Sequence, residues 1–172
     1  MKRISLLVLS MFIMEAVLFT SNVEAKSKLE KAVSYAINVA KNNRNGYSMP
    51  RRNMRNKKGG REYDCSSLVV SAYKAGGFKK LKMCTTRNQV SIFKKAGFRY
   101  IPKCKLNNFK NTKKLKRGDI LWKNGHTEIY IGKNKCVGAH SDYDKKVGDS
   151  SGKEISVTKY YNLNWSGILR KK

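Results

Sequence analysis

From Ser27 to Asn43 the apolar residues Leu29, Ala32, Val33, Ala36, Ile37, Val39 and Ala40 recur at helical spacing, and "NNRNG" breaks the pattern. This predicts an amphipathic first helix. The following "YSMPRRNMRNKKGGREY" is polar, basic and glycine-punctuated, and reads as a surface loop. A second helix is predicted from Cys65 to about Lys74, with Leu68, Val69 and Ala72 facing inward and Gly76-Gly77 stopping it. A third runs from a Thr86 cap through "RNQVSIFKKA" to Gly97. After "KNTKKLKRGD" the spacing becomes that of strands, in "ILW", "HTEIYIG", "KCVGAH", "EISV" and "SGILR". Helices first and strands later make an α+β chain, with N-terminal helices packed on a small antiparallel sheet. No internal repeat, low-complexity tract or linker interrupts it, so residues 26–172 are read as one domain.

The N-terminus changes the picture of where that domain works. Lys2 and Arg3 precede the apolar "ISLLVLSMFIMEAVLF", and Val23 and Ala25 supply small residues before Lys26. Residues 1–25 therefore read as a secretory signal cut after Ala25, leaving a secreted chain with no membrane span. An uncleaved anchor is the rival, although the run is short for a bilayer. The formal net charge is +27, and Lys2, Arg3, Glu15 and Glu24 cancel, so the remainder carries all of it. Base composition explains a preference for lysine but not why acids number only 11. A polyanion is the implied partner: wall teichoic acid, anionic lipid or nucleic acid. Export argues against nucleic acid as the natural target.

Four cysteines, Cys65, Cys84, Cys104 and Cys136, are too few for a disulfide-built scaffold. An oxidising compartment permits a bridge, and Cys84 with Cys104 is the favoured pair; closing a loop of about 20 residues stabilises by roughly 3 kcal/mol. The absence of C-x-x-C spacing and the presence of only two histidines argue against a structural metal. Cys65 reads either as half of a disulfide or as a nucleophile. In favour of the second, Asp64 fits as the N-cap of a helix whose first turn aims N–H groups and the positive dipole end at the sulfur.

A nucleophilic thiol needs a base. His126 opens "HTEIYIG", sharing one strand face with Glu128 and Tyr130. His140 ends "KCVGAH". If the intervening "GKN" is a three-residue turn, position i pairs with 266 minus i and the histidines face each other; a two-residue turn would separate them. Either histidine alone reads as an ordinary sheet residue. Both in one hairpin, downstream of a helix-capping cysteine, fit a nucleophile, a base and a third group that orients the base. Asp119, after Gly118, reads as fixing the turn before a strand.

These segments carry a resemblance. "YDCSSLVVSAYKAGG", then "RGDILW", "HTEIYIG" and "GAHSD", resemble the NlpC family of papain-like cell-wall cysteine hydrolases. The tail "VGDSSGKEISVTKYYNLNWSGILR" resembles the end of the phage-lysin amidase branch. The resemblance covers roughly Tyr47 to Arg170 and implies a papain-like NlpC-type fold. It implies Cys65 as nucleophile, His126 as general base and His140 as the orienting residue. Many members place that third residue 12 positions after the base, where this chain has Gly138, whereas His140 comes at 14. Tyr47 matches a cleft tyrosine of many members. Asp64 reads as cap or substrate contact, and Ser66 as a donor near the cleft, with the Cys65 N–H an oxyanion donor.

The resulting expectation is a secreted, monomeric peptidoglycan hydrolase. It would cut an amide bond of the stem peptide, or that between muramic acid and L-alanine, through an acyl-enzyme, with no metal or organic cofactor. Its charge would hold it on anionic wall polymers. A non-catalytic cationic binding protein and a papain-like acyltransferase are the alternatives.

Overall fold

The computed structural model describes residues 28–141, 143, 145 and 154–172. The expected signal segment and its cleavage site lie outside the described residues. Helix α1, described over residues 28–41, presents Ala32, Val33, Ala36 and Val39 inward, as its spacing predicts. Two short strands, β1 (Gly46–Tyr47) and β2 (Glu62–Tyr63), pair in parallel. The intervening segment, expected to be a surface loop, has an internal anchor. Buried Asn56 donates to the Arg44 carbonyl at 2.7 Å and to Oε1 of fully buried Glu62 at 2.8 Å.

Helices α2 (Cys65–Ala75) and α3 (Thr86–Lys95) follow. Thr85 rather than Thr86 occupies the N-cap of α3, in a reciprocal box with Asn88. Strand β3 (Phe98–Pro102) leads into a 3₁₀ segment (Lys103–Phe109). The remaining strands are β4 (Asp119–Lys123), β5 (His126–Gly132), β6 (Lys135–Ala139), β7 (Ile155–Lys159) and β8 (Gly167–Lys171). They form one antiparallel six-stranded sheet in the order β3-β8-β4-β5-β6-β7. The five strands predicted from the pattern are all present. β3 was not among them, because only Phe98 of its residues is buried and it ends in a proline, tolerable on this edge.

Alternation along the strands gives the sheet two different faces. Ile120, Ile129, Val137 and Leu169 pack under the three helices, where Tyr73, Phe78, Phe93 and Phe98 form a ring cluster with centroids 5.0–5.6 Å apart. Leu121, Tyr130, Cys136 and Ile168 face the other way, toward Leu106, Phe109 and Trp165. All four cysteines are free. The expected Cys84–Cys104 bridge is therefore a correction: Cys84 is buried in the helical-face core while Cys104 is exposed on the 3₁₀ segment. Adjacency to one helix in sequence did not bring them together across the sheet.

Candidate active site

The position expected for the nucleophile, Cys65, is built by a helix cap. Asp64 is extended (φ −97, ψ 176), and its Oδ1 accepts from the Ser67 N–H at 2.7 Å while Ser67 Oγ accepts from the Asp64 N–H at 2.9 Å. This reciprocal box starts α2 at Cys65, beside the positive end of the helix dipole. Ser66 Oγ donates to the same Oδ1 at 3.0 Å, and Arg52 Nη1 lies 3.5 Å from Oδ2. Of the two readings of Asp64, the cap is what the geometry supports, and the Ser66 hydroxyl is turned to that carboxylate. Tyr47, Asp64, Cys65 and Ser66 nonetheless line one cleft of about 470 Å³, with Thr86 and Arg87 at the start of α3.

β5 carries the histidine expected to act as base. His126 lies near enough to Cys65 for the thiol to act on its proton affinity, and its Nε2 hydrogen-bonds Glu128 Oε1 at 3.0 Å. With Nε2 so engaged, Nδ1 is the nitrogen left for the sulfur. Trp165 stacks on the imidazole at 5.8 Å and 23° between planes, and holds itself by donating from Nε1 to the Tyr161 carbonyl. Burial lowers the affinity of His126 for its proton, but the hydrogen bonds and charges of Cys65 and Glu128 outweigh it and raise the pKa to about 9.

His140 reaches the same cluster by another route. Its ring lies 6.0 Å from that of His126, and its Nδ1 is 3.7 Å from Glu128 Oε1, too long for a hydrogen bond. Burial lowers its pKa and His126 adds to this, against opposing contributions from Glu128 and the Ser156 backbone. The expected meeting of the histidines occurs, but not through a three-residue turn. Gly132 pairs with Lys135 around a two-residue turn, Lys133 and Asn134 both having positive φ as a type I′ turn requires. A register shift between Tyr130 and Gly132 then inserts one residue. Ile129 consequently pairs with Val137, and Tyr130 with Cys136, restoring the register that puts His126 and His140 on one face.

The residue between them is Glu128, 1 % exposed, which sequence reasoning placed on the right face without giving it a role. Cys136 also abuts it, and burial followed by the carboxylate's charge pushes that thiol's pKa up. His126, Glu128 and His140 offer donor atoms within 4.8 Å of one another. Within this set His126 Nε2 and Glu128 Oε1 are at hydrogen-bond distance and share a proton. Two more residues went unassigned in sequence. Trp165 holds the imidazole plane, and Glu154 accepts from the Tyr47 N–H at 2.7 Å, tying the cleft tyrosine to the edge of the sheet. The tail motif "GKEISV…NLNW" was the available signal for both.

A thiol at a capped helix N-terminus, with an imidazole carried on an antiparallel sheet, defines the papain-like class of fold and site. By its sequence the chain belongs to the endolysin-like domain family, whose model matches residues 19–137. Among solved structures it is similar to the P60 domain of an M. avium subspecies paratuberculosis antigen. Identity there is 15 % and the TM-score 0.51, covering 83 % of this chain and 96 % of that one. It is also similar to NlpC1 from Trichomonas vaginalis, at 16 % identity and TM-score 0.52, covering 84 % of this chain and 44 % of that one. A third is a variant of the resuscitation promoting factor interacting protein RipA, at 19 % and 0.51, covering 83 % and 62 %. These likenesses establish the NlpC/P60 fold. The comparison with curated proteins finds no match.

Proposed function

We propose that this chain is a secreted cysteine hydrolase that cuts an amide bond in the peptide part of bacterial peptidoglycan. The observation carrying the reading is the placement of Cys65 at the capped start of α2, lining a cleft large enough for a peptide segment, with His126 close by and held through Nε2 by Glu128. Membership in an endolysin-like family supports the substrate class.

In the reaction Cys65 Sγ attacks the amide carbonyl carbon, forming a C–S bond as the carbonyl π electrons move to oxygen. The first-turn N–H groups of α2 stabilise that oxyanion. Collapse breaks the C–N bond, and His126 gives its proton to the leaving amine. Water then adds to the thioester, His126 takes a proton from it, and the carboxylic acid leaves as the thiol is restored.

The formal charge of +27 suits a chain working on an anionic wall, and the N-terminal apolar segment suits export. Among the described residues no helix is long and apolar enough to cross a membrane.

Purified peptidoglycan incubated with the wild type should yield fragments with one new amine and one new carboxyl terminus by mass spectrometry, and Cys65→Ala should yield none. Equal clearing of walls by both, without new termini, would mean a cationic binding protein. A new amide in place of the carboxyl would mean an acyltransferase. Salt should suppress clearing of whole walls more than cleavage of a soluble muropeptide, because charge attraction is screened beyond about 8 Å at physiological ionic strength.

A further inference from the structure

Resting on that reading, we infer that Glu128, reached from the strand of the base itself, is the residue that orients His126, and that it replaces a side chain at position 138 of the facing strand. His126 Nε2 has its hydrogen bond with Glu128 Oε1 at 3.0 Å, while His140 lies beyond that same oxygen.

Position 138, twelve residues after His126, is glycine, and its emptiness is occupied. A Cβ built there would lie 2.7 Å from Glu128 Cγ, 3.3 Å from Glu128 Cδ and 3.3 Å from His140 Cε1. The register that pairs Ile129 with Val137 sets 128 across from 138. The two positions compete for one volume, so a side chain can enter from one strand or the other. Here it enters from β5, and glycine on β6 makes room.

The groups facing this pair are Cys65 from α2, His140 and Cys136 from β6, and Tyr161 ahead of β8. With Nε2 engaged by Glu128, the other ring nitrogen of His126 is the one open to Cys65. The carboxylate fixes the tautomer with Nε2–H directed at Glu128 and stabilises the imidazolium left when the thiol gives up its proton. His140, held neutral by burial, backs the carboxylate. It is a positioning residue for Glu128 and not for His126.

The test reads the alkylation rate of Cys65 by iodoacetamide against pH, with peptide mapping and exposed Cys104 as internal control. This needs no substrate. The wild type should show an alkaline inflection near pH 9, where His126 loses its proton. Glu128→Gln, nearly isosteric, should move that inflection down by at least about one pH unit and lower kcat on peptidoglycan by about 10²–10⁴-fold. His140→Gln should move it less. Glu128→Gly should lose the inflection, and the exchange Glu128→Gly with Gly138→Glu should restore it, whereas Gly138→Glu alone overfills the site and lowers stability.

An unshifted inflection in Glu128→Gln, or a larger shift in His140→Gln, would overturn the assignment and give the role to His140. Failure of the exchange to restore a folded double variant would also overturn it. A wild-type profile matching that of Cys104 would instead remove the Cys65–His126 pair, and both readings with it.

Discussion

Two carboxylates, each 1 % exposed, lie on neighbouring strands of the same sheet and have opposite surroundings. Asp119 on β4 is saturated: Arg170 grips it with Nε and Nη2 at 2.6 Å each, and the Lys116 N–H donates at 2.7 Å. It fixes the turn from Lys116 through Gly118 into β4, as the sequence predicts, and also latches β8 to that turn. Glu128 on β5 faces two imidazoles and a thiol, none with a permanent charge. A carboxylate gripped by a bidentate guanidinium and a backbone N–H is held in one place, as a latch is. One shared among groups that gain and lose protons couples its environment to pH, which a catalytic site needs and a latch does not.

The widest separation between the two clusters should come from Cys65→Ala, which removes the proposed nucleophile and should cost at least about 10⁴-fold in turnover while leaving the thermal midpoint almost unchanged. Breaking the latch should do the reverse. Arg170→Ala strands a buried carboxylate and should cost about 3–5 kcal/mol in denaturant unfolding, with the alkaline limb of the pH–rate profile unmoved. A shift of that limb would mean that the two clusters are one network. Asp64→Ala, which removes the α2 cap, should cost about 1 kcal/mol of stability and lower kcat as the first turn frays around Cys65.

The smallest effect is a pH slope in stability. The folded pKa of His126 is raised from 6.5 to about 9, so its contribution is complete below 6.5 and is lost as pH rises through about 9. Unfolding free energy should therefore decline across that window, and the decline should weaken in Glu128→Gln.

Period and punctuation were enough for the helices and for five strands, because each buries one face and carries its own stop signal. Where burial was not periodic the pattern was silent: β3 buries one residue, and β1 and β2 are two residues each. The cleft residues Tyr47, Asp64, Cys65 and Ser66 were legible through the helix cap and the family motifs. The partner of His126 was not. A strand face says which residues can meet, but which of two neighbours makes the hydrogen bond depends on tenths of an ångström and on the empty position at Gly138. The hairpin shows the same limit. Its register was expected only if the turn had three residues, whereas a two-residue turn and a compensating bulge deliver it, and a count of residues cannot tell these apart.

The chain has only two histidines, which makes one measurement decisive for a base held between a thiol and a carboxylate. Titrating both imidazoles by NMR in the wild type should give one near 9, assigned to His126 through its loss in His126→Gln, and one below 6.5, assigned to His140. Two ordinary titrations near 6.5 would contradict the coupling of His126 to Cys65 and Glu128, and with it the catalytic reading of the site.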